Sequence, residues 1–194
     1  MPAKAQSRTR LRPFRAWQRM LSGRRLDLLD PSPLDIEIAD IAHGLARVAR
    51  WNGQTEGAHI FSVAQHSLLT EALARERAQL DRNGRLAVLL HDAPEDVIGD
   101  AYKVVEARLH AAIHLRFGLP PVLPEELMAL IKACDRSAAY LEAMRLAGFS
   151  NSEARRFFGP TPKFRPIIER NYLLPWPAEV AEARYIERFT KLAP

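Results

Sequence analysis

Residues 85–100 read RLAVLLHDAPEDVIGD, and the rest of the chain is interpreted around this stretch. It begins as an apolar helix: Leu86, Leu89 and Leu90 share one face, and Ala87 and Val88 close most of the remainder. A helix this apolar is expected to be buried. Its C-terminal end nevertheless carries His91 and Asp92 side by side, with Glu95, Asp96 and Asp100 close behind. Burying such a group costs on the order of several kcal/mol per charge unless something positive compensates. A metal ion would do so. Pro94 disfavours helix at Ala93 and suits the first position of a new short helix. The doublet is therefore expected on a last, fraying turn, from which both side chains can reach one ion.

Working outward, three helices each place ligand-type residues on or beside an apolar face. His66 is embedded in a helix whose wide apolar surface includes Phe61, Val63, Ala64, Leu68, Ala72 and Leu73. The His91-Asp92 doublet closes the second. Asp135 sits at the margin of the stripe Leu127, Leu130, Ile131, Cys134, Ala138 and Leu141. Two imidazoles and two carboxylates can hold a divalent ion and leave positions for water and substrate. This donor set suits Mn, Fe, Co, Ni or Zn better than Ca or Mg.

The 194 residues suit one domain with a substantial core. No apolar run approaches the roughly 20 residues that cross a membrane, so no membrane partner is expected. A lone cysteine, Cys134, excludes an internal disulfide and agrees with a reducing compartment; a soluble, cytoplasmic protein is expected. The net charge of +5 is uneven: residues 1–25 hold eight Lys/Arg and no acid, leaving −3 for the remainder. Residues 1–16 read as a basic, poorly ordered leader, and the segment to residue 25 could attract nucleic acid.

Ser22-Gly23 marks the turn of a small N-terminal β-hairpin. Helical spacing runs from Ile36 to Trp51, then from about His59, and again from about Tyr102 to Phe117 and from Pro124. Beyond Gly148 the pattern loosens into a wrapping tail, with a last short helix over about residues 178–192. The expected class is all-α, a helical bundle with that small hairpin. Residues 17–150 form the domain, and 151–194 a tail packed on it. Glu106, His110 and His114 recur at i, i+4, i+8, a spacing able to bind zinc, but flank the apolar face and are expected to be solvated.

His66, His91-Asp92 and Asp135, in that order, resemble the H…HD…D signature of the HD phosphohydrolase superfamily. RWNG at 50–53, AQHSL at 64–68 and HDAPEDVIGD at 91–100 are similar to bacterial HD-type 5′-nucleotidases acting on deoxynucleoside monophosphates. Residues 23–46 are similar to a stretch of bacterial and phage HD proteins. The resemblance covers roughly residues 17–147 and implies an HD-domain helical bundle. It implies His66, His91, Asp92 and Asp135 as metal ligands, Glu95 on the attacking water and Asp100 as a further acid/base near the leaving oxygen. Arg50 would grip phosphate and Trp51 stack on base or sugar. The implied reaction is metal-dependent hydrolysis of a phosphomonoester, with a (deoxy)nucleoside 5′-monophosphate the favoured substrate.

Plainer roles stay open for four of these residues. Glu95 suits a helix start, Asp100 a helix cap, Arg50 a C-terminal helix cation and Trp51 the core. Two alternatives to the nucleotidase also stand. HDAPED resembles the HD-x-x-ED run of (p)ppGpp pyrophosphohydrolases. A non-catalytic nucleotide- or nucleic-acid-binding HD protein is the other, with residues 1–25 as its arm. A homodimer is open to the chain.

Overall fold

The computed structural model describes residues 16–95 and 103–193; residues 1–15 of the expected leader and Asp100 lie outside them. Strands β1 (Trp17–Arg19) and β2 (Arg25–Asp27) pair antiparallel, Gln18 opposite Leu26. Gly23 turns the hairpin at φ +87°, a left-handed conformation that glycine tolerates best. Asp40 on α1 (Ile38–Leu45) fixes the turn, accepting from the Ser22 amide at 2.8 Å and its hydroxyl at 2.5 Å.

The body is helical: α2 (Val63–Arg77), α3 (Arg82–Leu89), α4 (Lys103–Arg116), α5 (Glu125–Arg145), α6 (Asn151–Phe158), α7 (Pro166–Tyr172) and α8 (Ala178–Leu192) follow α1. Eight α-helices and one two-stranded sheet among the described residues make this an all-α bundle with a small hairpin. None of these helices is long and apolar enough to cross a membrane.

Helix α2 is the axis. Ser62 caps it, its hydroxyl accepting from the Gln65 amide at 3.2 Å. Every residue from Val63 to Ala74 is buried, because α2 packs against α3, α5, α7 and α8. Asp81 caps α3 through the Gly84 amide at 2.7 Å. Leu86 to Leu90 then fill the core without exposure. Burying a leucine side chain contributes roughly 1.5–3 kcal/mol, so α2 and α3 are held chiefly by their surroundings.

Three boundaries differ from the helical spacing. Helix α1 stops at Leu45 rather than running to Trp51. Ala49 bridges antiparallel to Ser62, and the Arg50 amide donates to the Phe61 carbonyl at 2.8 Å. Helix α2 begins at Val63, four residues beyond the sequence expectation, where Ser62 supplies a cap. Helices α6 and α7 form within the segment expected to wrap as a tail. Ser150 and Glu153 make a reciprocal capping box at the start of α6.

Candidate metal centre

His91 and Asp92 follow α3 in a turn that runs through Pro94, as the proline predicts. They meet His66 from the middle of α2. One ligand atom from each of these three residues lies within 4.8 Å of the others, forming a group that could hold a metal ion. Asp135, from α5, closes on the same imidazole: its Oδ1 is 3.2 Å from His66 Nε2. Asp92 Oδ2 stands 3.3 Å from that nitrogen, and Asp92 Oδ1 is 3.3 Å from His91 Nε2. With bonds of about 2.1 Å, neighbouring ligands around one ion lie about 3.0–3.4 Å apart. His66, His91 and Asp92 thus form the group, and Asp135 meets it at the His66 imidazole.

The backs of both rings decide which nitrogens face the cluster. His66 Nδ1 lies 2.5 Å from Glu142 Oε1, deep in the core. His91 Nδ1 lies 2.9 Å from the Val88 carbonyl. Each Nδ1–H donates to an oxygen that cannot itself donate, so each Nε2 is the ring nitrogen turned toward the carboxylates. Two lone-pair atoms facing each other at 3.3 Å need a cation or a proton between them. His91 Nε2 and Asp92 Oδ2 are shut off from solvent without a hydrogen-bond partner. Such orphaned atoms in a polar cluster fit a metal-binding role.

Without an ion, the surrounding charges favour a proton on the His66 ring in that place. Burial and the Arg50 charge both oppose a proton on His66, yet Glu142 and Asp135 raise its pKa to about 9. Burial would raise the Asp135 carboxyl, but the His66 hydrogen bond and the charges of His66, His91 and Arg50 hold it at about 2. His91 is shifted down, chiefly by burial.

Glu142 is the residue that sequence reasoning missed. It is fully buried, and beyond His66 it accepts from Trp51 Nε1 at 3.0 Å and Arg50 Nε at 3.4 Å. Burial pushes its carboxyl up, but His66, Arg50 and Trp51 together pull it below the usual carboxylate range. The available signal was spacing: Glu142 lies two turns beyond Asp135 on the same helix, an acid on an apolar stripe.

Arg50 and Trp51 reach Glu142 from a tight turn. Trp51 and Asn52 have φ of +56° and +49°, and Gly53 continues at +75°. For a tryptophan this is a rare conformation, and such strain clusters at functional sites. Burial opposes the Arg50 charge, whereas Glu142, Asp92, Asp135 and Glu95 raise its pKa. The Trp51 ring packs on Phe149 and Phe158, centroids 5.5 and 5.8 Å away. This agrees with the core role left open for it.

A cavity of about 360 Å³ adjoins the cluster, with His91 and Asp135 in its wall. Val122, Leu123, Met128 and Ile131 make much of the rest, and His110 and His114 line it. The histidine stripe of α4 is therefore not a solvated face. His114 is 4% exposed, because the Pro-rich turn after α4 and the start of α5 fold over it.

No family model matches the sequence. Over 168 residues the chain is 60% identical to the uncharacterized protein RCAP_rcc00048 of Rhodobacter capsulatus, covering 80% of this chain and 84% of that protein. It is 28% identical over 169 residues to the uncharacterized protein YfdR of Escherichia coli (strain K12), covering 82% and 85% respectively. The chain belongs to the same family as the R. capsulatus protein RCAP_rcc00048.

Proposed function

We propose that the protein is an HD-type metal-dependent phosphohydrolase that cleaves a phosphomonoester, with a (deoxy)nucleoside 5′-monophosphate as the favoured substrate. The observation that carries this reading is the pair of imidazoles whose Nδ1–H groups are tied back while their Nε2 atoms face Asp92 and Asp135. His66, His91, Asp92 and Asp135 would hold a transition ion such as Mn, Co, Fe, Ni or Zn. When bound, such an ion lowers the pKa of its water toward neutrality and polarises a phosphoryl oxygen.

The chain's own residues supply the rest. Arg50 keeps its charge among four carboxylates and binds the phosphate, offsetting charge on its equatorial oxygens. Glu95, three residues past Asp92, takes the proton of the attacking water. As the new phosphorus–oxygen bond forms, the ester bond breaks, and the departing alkoxide is protonated from Asp100. The apolar cavity beside His91 and Asp135 supports an ester with an organic group of nucleoside size, since small-molecule sites commonly enclose about 300–1,000 Å³.

The deciding experiment is a hydrolysis panel. Purified protein is incubated with Mn or Co and deoxynucleoside monophosphates, nucleoside monophosphates or (p)ppGpp, and released phosphate is assayed against pyrophosphate. Phosphate release from monophosphates, lost together with bound metal in Asp92→Ala, supports the proposal. Pyrophosphate release from (p)ppGpp alone would move the reaction to that class. No turnover with any metal, together with a salt-dependent nucleic-acid shift lost on deleting residues 1–25, would favour a binding protein.

A further inference from the structure

A second cavity, of about 560 Å³, opens between α2 and the segment running through α7 and α8. Its wall carries Arg75, Arg170, Arg184, Arg188 and Lys191 against one acid, Glu187. Arg188 pairs with the buried Glu71, Nε to Oε2 at 3.0 Å, and Lys191 pairs with Glu187 at 2.5 Å. Among the described residues, Arg75, Arg170 and Arg184 make no close ion pair, although the charge of Arg75 acts on Glu76 and that of Arg184 on Glu187 at longer range. Arg184 lies 4.0 Å from the centroid of Trp176. That stacking holds the guanidinium in place without using its N–H donors.

The cavity is preorganised from beneath. Gln65, fully buried, donates to the Tyr172 and Leu174 carbonyls at 2.7 Å each and accepts from the Trp176 amide at 3.1 Å. One side chain thus fixes the backbone that carries Trp176 and the end of α7. Leu68 and Arg75 line the cavity seven residues apart on one stripe of α2. His66 lies two residues from Leu68, about 200° around the helix. The basic cavity therefore faces away from the metal cluster.

We infer that this cavity is a binding site for a compact, multiply charged phosphate chain of triphosphate size, free or carried by a nucleotide. The lining residues have a net charge of +4, which matches the charge of roughly −4 on a triphosphate near neutral pH. Three of the cations are guanidinium groups that make no close ion pair among the described residues, and their planar donor forks match phosphate oxygens. The positive groups converge on a concavity rather than extending as a track, so an extended nucleic-acid strand fits less well. The inference does not depend on hydrolysis at the metal cluster.

Calorimetric titration of the full chain in EDTA-containing, low-salt buffer tests it, with sodium tripolyphosphate and ATP as separate probes. One saturable site is expected, with affinity falling at least tenfold in Arg75→Ala/Arg170→Ala. Both residues are exposed, so folding should be retained, as a circular-dichroism melt would confirm. Arg155→Ala/Arg156→Ala, on exposed positions of α6, should bind within twofold of the wild type, and so should Asp92→Ala. ATP binding tighter than tripolyphosphate identifies a nucleotide as the carrier; equal binding identifies the phosphate chain alone. Absence of saturable binding, equal losses in both arginine pairs, or loss in Asp92→Ala would overturn the inference. So would single-stranded RNA binding that tripolyphosphate does not displace.

Discussion

Replacing Glu142 with glutamine tests the part of the site that no ligand-spacing motif announces. Three donors converge on this carboxylate: His66 Nδ1 on Oε1, and Trp51 Nε1 and Arg50 Nε on Oε2. An amide offers one acceptor oxygen and one NH2 group. If its oxygen serves His66, the NH2 confronts two further donors; if it serves Trp51 and Arg50, His66 loses its acceptor. A hydrogen bond to a charged group contributes about 1.5–3 kcal/mol, and a buried donor left unpaired costs about 1–3 kcal/mol. Glu142→Gln should therefore lower unfolding stability by about 2–4 kcal/mol.

The same substitution loosens the ring that would face the ion. Losing the carboxylate behind a ligating histidine typically weakens metal affinity ten- to a hundredfold, about 1.4–2.7 kcal/mol. The metal-stripped protein would be titrated with Mn against a fluorescent chelator, and stability read from urea unfolding. A Glu142→Gln variant that binds Mn as tightly as the wild type and unfolds at the same urea concentration would refute this account of Glu142.

Further outcomes follow from the same geometry. Under the proposed hydrolysis, Glu95→Gln should keep Mn affinity within about twofold yet lower turnover by about 10²–10⁴, the usual contribution of a general base; unchanged turnover would remove Glu95 from that proposal. Glu71 is 1% exposed and shared between Arg85 and Arg188, so Glu71→Ala should cost about 3 kcal/mol in urea unfolding; a loss below about 0.5 kcal/mol would contradict this. His114 is held at about 4 by burial and by its neighbour His110, against an ordinary 6.5. Between those pH values the unfolded ring takes up a proton that the folded ring refuses, so stability falls as pH drops from 6.5 toward 4 and levels off below. With partial solvent screening this amounts to about 2 kcal/mol. His114→Phe should lack that component when melts at pH 7 and pH 4 are compared; equal losses in both proteins would show that the folded ring protonates freely.

Legibility followed how local each signal was. The Ser22-Gly23 turn was readable because a left-handed glycine reports only on its neighbours. The last helix, Ala178–Leu192, was readable because PWP precedes it and its apolar spacing is regular. The α6 cap was also local, since Ser150 and Glu153 stand in capping-box register, but the Pro-rich run that follows the helix, residues 159–166, masked it. Tertiary facts were harder to read. His114 lies on the flank of an amphipathic stripe, and only the fold of the Pro-rich turn over α4 buries it. Glu142 sits one residue beyond Leu141 in an apolar run, and its importance depends on partners 76 and more residues away.

Helix α2 explains why the polar residues of this core could not be ranked by pattern alone. It buries Gln65, His66, Thr70 and Glu71, and from Val63 to Ala74 it has no solvent face to separate polar from apolar positions. Each of three groups addresses a different neighbour. Gln65 holds the chain between Tyr172 and Trp176, His66 meets Glu142 and Asp135 of α5, and Glu71 meets Arg85 of α3 and Arg188 of α8. A one-residue rotation of α2, about 100°, would break all three sets together and strand several buried polar groups. The register that places His66 at the metal cluster is thus enforced by contacts that never touch it, and the basic cavity behind Gln65 is held by the same constraint.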